Sequence, residues 1–245
     1  MGTLISLEFL KIIRNKRFLT FTILFPAVFY LGLYYLGPSV SSTMDDKSLI
    51  LFITCSLYGT LGNGVITLST RITREKEYML TAIKTTPFSI AKYICTASIV
   101  QFVLNALIIA VLAMIGVGIC GLHINAIMFR QSGIILILSL YFIFVGIMLG
   151  FIFDVVTLQS ISMPLYFILI LANITNKLIP QMPEAITKVQ MLLPGYYATN
   201  VILKVYQHLS FSKELLILLS HIIFMLMAVL IILSIYKRGN IKRGI

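Results

Sequence analysis

Charged residues are scarce in this sequence. Of its 245 residues only 11% are charged and 59% are hydrophobic, whereas soluble domains carry roughly a quarter charged residues. No soluble fold could hide that much apolar surface. The apolar runs repeat along the chain and leave no polar stretch long enough to fold separately. The composition therefore predicts an all-α membrane protein in which residues 1–245 form a single domain.

The sequence also lacks the motifs of several catalytic and energy-converting sites. It has no G-x-x-x-x-G-K-[ST] loop to cradle phosphates and no H-E-x-x-H metal motif. Its histidines, His123, His208 and His221, are scattered. His221 lies within an apolar run, where it is either a polar packing residue or a ligand that lacks a second histidine at matching depth. We therefore expect no catalytic centre, no metal site and no cofactor bound by this chain.

Acidic residues are nearly absent from the apolar runs. Carriers coupled to protons or sodium usually place ionisable groups in mid-membrane, where a charge costs about 2.5 to 3.5 kcal/mol. Asp154 comes closest to such a group, but it lies at the end of a run. There it can cap the next helix through the turn 154–157. An ion- or proton-coupled secondary transporter is therefore the second hypothesis for this chain.

Six apolar runs are long enough to cross a bilayer. A helix needs about 20 mostly apolar residues to do so, because lipid offers the backbone no hydrogen-bond partners. The fifth run contains Pro164, which a membrane helix tolerates when neighbours or water satisfy the freed carbonyl. The predicted spans are Phe18–Leu36, Leu49–Thr70, Tyr93–Val117, Ser132–Phe153, Leu158–Thr175 and Leu215–Tyr236.

Lysine and arginine are distributed unequally between the two sides of this arrangement. Most of the 19 basic residues fall on the side that holds both termini. Since cytoplasmic loops carry the excess of basic residues, both termini are predicted to be cytoplasmic, in a cell membrane and most simply a bacterial plasma membrane. The net charge of +11 then reflects topology. Nucleic-acid binding is the weaker alternative, because the basic residues flank spans instead of lining one solvated face.

Two segments on the cytoplasmic side have helical patterns of their own. In residues 1–17, Ile5, Phe9 and Ile12 recur at helical spacing. This pattern predicts an amphipathic helix at the membrane surface, and a short solvated tail is the alternative. Residues 71–92, between the second and third spans, form a cytoplasmic loop that is also predicted to contain a helix.

The segment 176–213, between the fifth and sixth spans, is too apolar for an ordinary loop. Its prolines make it too broken to span the membrane. Short helices that dip into the outer leaflet and are shielded by the bundle fit this composition. We expect Ile186, Val189 and Leu193 to be the apolar residues that pack on the bundle.

Several motifs in this order resemble those of ABC-2 type transporter permeases. Residues 74–89 read REKEYMLTAIKTTPFS and are similar to the family's E-[RK]-E … T-P-x-S loop. Residues 8–17 resemble its N-terminal elbow helix, in which Glu8, Arg14 and Arg17 are the matching charged residues. Residues 182–197, with two prolines, are similar to the family's outer segment. The Gly-Thr that usually follows E-[RK]-E is absent, which leaves the register of the coupling helix open.

The resemblance implies the membrane subunit of an ATP-binding-cassette exporter for a drug, peptide or lipid-like substrate. Such a subunit pairs with a second permease copy or a homologue. It also pairs with separate ATP-binding subunits, which hold the ATP and magnesium. The missing phosphate loop fits this division of labour. Besides the secondary transporter, a third hypothesis is a non-transporting membrane scaffold or sensor subunit.

The resemblance places the contact with the ATP-binding subunit on the loop 71–92. The residues assigned to this contact are Glu75, Glu77, Met79, Leu80 and Ile83. We expect the three apolar side chains to fill a groove of that subunit, because truncating a buried anchor can cost about 2 kcal/mol whereas an exposed ion pair contributes about 0 to 1. The two glutamates would fix the register at the rim. The alternative is that the apolar residues pack against the membrane surface or the elbow helix.

In such dimers the transport path runs between the subunits, mainly along the second and fifth spans. The candidate path-lining residues in these spans are Tyr58, Asn63, Thr67, Ser162 and Asn173. The alternative is structural, because polar side chains also join membrane helices through hydrogen bonds and close contacts.

Overall fold

The computed structural model describes residues 2–14, 20–37, 47–85, 89–173 and 184–242. These residues form helices joined by short turns and contain no strand, which confirms the all-α prediction. Two segments among them, Thr20–Leu24 and Gly62–Thr67, form π-helical turns. The helices are α1 (Gly2–Arg14), α2 (Phe25–Leu36), α3 (Lys47–Leu61), α4 (Leu68–Thr85), α5 (Ile90–Ile119), α6 (Ala126–Ile152), α7 (Val155–Asn173), α8 (Glu184–Gln190), α9 (Pro194–Tyr206) and α10 (Ser212–Lys242).

Five helices of the described chain are long and apolar enough to cross a membrane. They are Lys47–Met79, Ile90–Ile119, Ala126–Ile152, Val155–Asn173 and Ser212–Ile235. They coincide with predicted spans two to six. The helix at the first predicted span is shorter, Thr22–Leu36, and residues 15–19 and 38–46 on either side lie outside the described part. A sixth span therefore stays a prediction.

The helix of the second span is longer than its apolar run. It continues through the turn Gly62–Thr67 into α4 and ends at Thr85. A helix was predicted within the loop 71–92, and residues 71–85 are helical, but this helix continues the second span without a break. The reason is local: α4 contains neither glycine nor proline to interrupt it. The next helix, α5, begins after Ser89, whose side chain caps it by accepting a hydrogen bond from the backbone N–H of Lys92 at 3.2 Å.

The second span lies at the centre of the bundle and α7 at its edge. Of the most apolar stretch of the second span 83% is buried, against 6% for α7. The buried core includes Phe52, Ile135, Phe142 and Val201, from α3, α6 and α9. The apolar side chains that α7 leaves exposed are Val156, Met163, Phe167, Ile168 and Leu171. One long face of the bundle therefore remains uncovered in a single chain.

Glycines allow α6 to approach the second span closely. A Cβ at Gly146 would collide with the backbone carbonyl oxygen of Gly64, and one at Gly150 would lie 2.8 Å from Cβ of Ile72. Gly146 and Gly150 are one helical turn apart, the small-x-x-x-small spacing that brings membrane helices into backbone contact. This contact fixes the position of α4 against α6.

The segment between α7 and α10 contains the predicted short helices, α8 and α9. Helix α9 is embedded in the bundle, where Ala198, Val201 and Ile202 are fully buried. The expectation for Val189 is wrong, because its side chain in α8 is 58% exposed. Gln190 is the buried residue of α8, and its Nε2 donates to the carbonyl of Leu171 at 2.7 Å. A polar contact therefore attaches α8 to α7, where apolar packing was expected.

Candidate functional site

Glu75 of the family-like motif joins three helices at the end of the bundle where α4 terminates. Its Oε1 forms an ion pair with Nζ of Lys11 in α1. Its Oε2 accepts a hydrogen bond of 2.8 Å from the hydroxyl of Tyr93 in α5. The Glu75 side chain is 23% exposed and that of Lys11 is 61% exposed. The carboxylate therefore holds α1 and α5 together from a position on α4.

Lys76, the next residue of the motif, points to a different helix. Its Nζ donates to the backbone carbonyl of Phe153 at 2.6 Å, directly after α6. Carbonyls at a helix end have no partner within the helix and attract a positive charge, so Lys76 caps α6. One turn earlier, Oγ1 of Thr73 donates to the carbonyl of Gly150 at 3.0 Å. Consecutive motif residues thus fasten α4 to α1, α5 and α6.

The candidate elbow residues lie on or next to α1. Ile12 is buried with Val100 and Leu104 of α5, and Phe9 packs beside them. Glu8 is half-buried, whereas Arg14 is exposed. Arg17 lies outside the described residues. Helix α1 therefore packs on α5 through Ile12 and Phe9, and its position at a membrane surface stays a prediction.

Met79 is buried within this chain. Its side chain is 3% exposed and belongs to a core cluster with Ile72, Ile147 and Phe151. A second subunit would reach it only if this end of the bundle opened. Its assignment as a docking anchor stays a prediction, as do those of Leu80 and Ile83, whose side chains lie outside the described part.

The opposite face of α4 is exposed. The spacing of Arg74, Glu77, Thr81 and Lys84 places them on one face of the helix. The side chains of Arg74, Glu77 and Thr81 are exposed, and that of Lys84 lies outside the described part. Tyr78 lies on the same face, one turn after Arg74, and is 81% exposed. We call these four exposed residues the α4 face. Sequence reasoning passed over Tyr78, although its position one turn from Arg74 was a usable signal. It also missed Lys11, Lys76 and Tyr93, whose roles depend on distant partners.

The candidate path residues do not share one surface. Asn63 and Asn173 are buried, whereas Tyr58, Thr67 and Ser162 are partly exposed. Tyr58 does meet the fifth span: its backbone carbonyl accepts a hydrogen bond of 3.3 Å from the hydroxyl of Tyr166 in α7. This contact brings the second and fifth spans together, and a path along them stays a prediction.

Three of these residues bond within their own helices. Oγ1 of Thr67 donates to the carbonyl of Gly62 at 3.4 Å, and Oγ of Ser162 donates to the carbonyl of Gln159 at 2.9 Å. Nδ2 of Asn173 donates to the carbonyl of Leu169 at 2.7 Å. Such bonds lower the cost of a polar side chain in an apolar environment. Asn63 differs, because its amide bonds to another helix.

Asp154 caps α7, as the sequence indicated. Its Oδ2 accepts hydrogen bonds from the backbone N–H groups of Val156 at 3.0 Å and Thr157 at 3.3 Å. The side chain and backbone of Thr157 stabilise the charged carboxylate and hold the pKa of Asp154 below its usual range. This exposed residue therefore has a structural role at the turn between α6 and α7.

Comparison with known proteins gives one relevant likeness. No family model and no solved structure matches this chain. The chain is 26% identical over 195 residues to "Putative transport permease YvfS" of Bacillus subtilis (strain 168), and the match covers 78% of each chain. Together with its apolar helices, this likeness supports a multi-pass membrane protein with a transport permease role.

Proposed function

We propose that this chain is the membrane-spanning permease subunit of an ATP-driven exporter, energised by a separate ATP-binding subunit. Its substrate would be a hydrophobic or amphipathic molecule such as a drug, peptide or lipid. Support comes from the resemblance of residues 74–89 to the ABC-2 type loop and from the likeness to a protein named as a transport permease. The absence of a phosphate-binding loop from this sequence fits a division between permease and ATPase.

The observation that carries the proposal is the set of contacts by which Glu75 and Lys76 attach α4 to three other helices. Two consecutive residues of α4, which continues the second span, hold α1, α5 and α6. A displacement of this part of α4 would therefore move three further helices, as a transporter driven from one end requires. Switching a two-state protein from 1:99 to 99:1 takes about 5.5 kcal/mol. The hydrogen bonds of Tyr93 to Glu75 and of Lys76 to Phe153 involve charged groups and contribute about 1.5 to 3 kcal/mol each, whereas the exposed ion pair with Lys11 adds about 0 to 1 kcal/mol. The attachment is therefore strong enough to transmit a large part of this free energy.

The α4 face is the surface proposed to meet the ATP-binding subunit. It combines an aromatic side chain, Tyr78, with the charged residues Arg74 and Glu77. Interface anchors are enriched in tyrosine and arginine. The proposal adds Tyr78 as an exposed anchor, because Met79 is buried within this chain, and Glu77 keeps its proposed place at the rim.

A second copy of this chain, or a homologue, is proposed to cover α7. The helix is 6% buried over its most apolar stretch. It also exposes Gln159 and Ser160. Its contact with Tyr58 through Tyr166 joins this face to the second span. A path between two copies would then pass Tyr58, Thr67 and Ser162.

Copurification from native membranes tests this function. The tagged chain is extracted from its host in mild detergent, and ATP hydrolysis is measured with a panel of amphipathic substrates. We expect an ATP-binding subunit to coelute and substrates to stimulate hydrolysis. Tyr78→Ala should reduce coelution, whereas the control Leu216→Ala, at a side chain 69% exposed on α10, should not. Proton-driven transport by this chain alone would identify a secondary carrier, and a bound ATPase without substrate stimulation would identify a scaffold.

A further inference from the structure

Three buried amide side chains meet in the middle of the bundle. Asn63 lies at the centre of the candidate span Lys47–Met79, and Asn105 lies at the centre of Ile90–Ile119. Gln101 is one turn before Asn105 on the same helix. Gln101 and Asn105 are 0% exposed and Asn63 is 3% exposed. Polar groups at this depth are far from either end of the two longest spans.

The three residues, which we call the amide cluster, are bonded to one another. Nδ2 of Asn63 donates to Oδ1 of Asn105 at 2.7 Å. Nε2 of Gln101 donates to the backbone carbonyl of Asn63 at 2.8 Å. That carbonyl lies in the π-helical turn Gly62–Thr67 and also accepts the backbone N–H of Leu68. The cluster therefore attaches α5 to the point where the second span departs from α-helical geometry.

Each amide in the cluster keeps one buried polar atom without a partner among the described residues. These atoms are Oδ1 of Asn63, Oε1 of Gln101 and Nδ2 of Asn105. They comprise two acceptors and one donor. If the oxygen and nitrogen positions are exchanged in both asparagine amides, two acceptors and one donor still lack partners. This count therefore does not depend on how those atoms are assigned. Reversing Gln101 would turn its oxygen toward the carbonyl of Asn63, which no hydrogen bond could satisfy.

We propose that the amide cluster binds one water molecule in the interior of the protein. A water has two hydrogens for the acceptors of Asn63 and Gln101 and a lone pair for the N–H of Asn105. Buried waters typically make about three hydrogen bonds to groups that would otherwise be unsatisfied. A metal cation does not fit this set, because the N–H of Asn105 would face it. The site thus takes a neutral ligand that donates twice and accepts once.

The bound water makes the contact between the second span and α5 exchangeable. A water-mediated bond is nearly as favourable in enthalpy as a direct one, so an amide can trade its amide partner for the water at little cost. The π-helical turn beside it is a local irregularity of the kind that is frequent at functional sites in helices. The cluster therefore permits the second span to bend at Asn63 while α5 remains attached. This inference does not depend on which substrate the protein carries.

Two substitutions at Asn105 distinguish a wet cluster from a dry one. Leucine branches where asparagine does but is larger and apolar, so it would occupy the place of the water and leave Oδ1 of Asn63 and Oε1 of Gln101 without partners. Alanine leaves room for the water and for a second one. If the site is wet, Asn105→Leu lowers Tm in detergent by roughly 4 °C or more relative to Asn105→Ala. In a dry cluster alanine leaves a cavity and leucine overpacks the site, so the two variants should differ by less than this.

The control pair is Val103→Ala and Val103→Leu, at a side chain 42% exposed on the same helix, where we expect no such difference. If Asn105→Leu does not fold, Gln101→Leu and Gln101→Ala provide the same comparison. A density map that resolves ordered waters gives the direct test. We expect one peak about 2.7–3.2 Å from the three unpartnered atoms. A difference between the Asn105 variants smaller than roughly 4 °C, a greater loss from alanine than from leucine, or a map without that peak would overturn the proposal.

Discussion

The hydroxyl of Tyr93 donates a hydrogen bond of 2.8 Å to Oε2 of Glu75. Tyr93 is 8% exposed and lies in the first turn of α5, whereas Glu75 lies in α4, the helix that continues the second span. Lys11 holds the other carboxylate oxygen from α1. The two oxygens of one carboxylate thus connect different helices, from a buried side and an exposed side.

These two contacts differ in strength, and Tyr93→Phe should be more destabilising than Lys11→Met. Removing the tyrosine hydroxyl deletes a largely buried hydrogen bond to a charged group, worth about 1.5 to 3 kcal/mol. Removing the 61% exposed ammonium deletes a solvated ion pair, worth about 0 to 1 kcal/mol. Thermal unfolding of the purified variants measures the difference. A larger loss in Lys11→Met would contradict this assignment of the two contacts.

The close approach of α6 to the second span depends on Gly146. In Gly146→Ala the new methyl group collides with the backbone carbonyl of Gly64, which cannot move without distorting the π-helical turn. We expect a clear loss of folded yield in membranes. Gly133→Ala is the matched control on the same helix, because a Cβ there meets nothing within 4 Å. It should be neutral or stabilising by up to about 1 kcal/mol. Equal yields would mean that the helices are farther apart.

The cap of α7 predicts a pH dependence. The folded-state pKa of Asp154 is lowered, so its contribution to stability is present above the ordinary value of 3.8 and is lost as the pH falls through the lower folded-state pKa. Wild type should therefore be more stable than Asp154→Ala at neutral pH, and the two should converge in acid. Thermal unfolding along a pH series checks this expectation. A constant difference between them at every pH would show that the carboxylate charge has no part in the cap.

The sequence was sufficient to predict the helices because apolar runs and their flanking residues are local signals. It located spans two to six and the short helices α8 and α9. It could not show what covers each apolar face. The same pattern that suggested a docking role for Met79 also describes a side chain buried against Ile147 of its own chain. For Val189 the expectation of packing on the bundle was wrong, since the chain leaves its side chain exposed.

The contact partners of the candidate site residues also could not be identified from a single sequence. Glu75 was recognisable from its motif, but its ion-pair partner Lys11 is 64 positions away. The link between Asn63 and Asn105 crosses 42 positions. Such pairings depend on how helices pack, and periodicity within one helix contains no information about them. The exposed α4 face was predictable because the spacing of Arg74, Glu77 and Thr81 is a property of one helix.

Sidedness is testable by cysteine labelling. Single cysteines are introduced at Thr81, near the end of α4, and at Val189, in α8. Both side chains are exposed. Since Cys95 is exposed and would react, the background must lack all three native cysteines. An impermeant thiol reagent added to intact cells should label position 189 only. Permeabilised cells should label both. Labelling of position 81 in intact cells would reverse the predicted topology.

We propose that an ATP-binding subunit acts on this chain at the α4 face. Site-specific photocrosslinking in native membranes tests it most directly, with the crosslinker placed at Tyr78 and, as a control, at Val189, both exposed side chains. We predict a covalent adduct with an ATP-binding subunit from position 78 and none from position 189. The same adduct from position 189, or none from position 78 in membranes that transport substrate, would contradict the account.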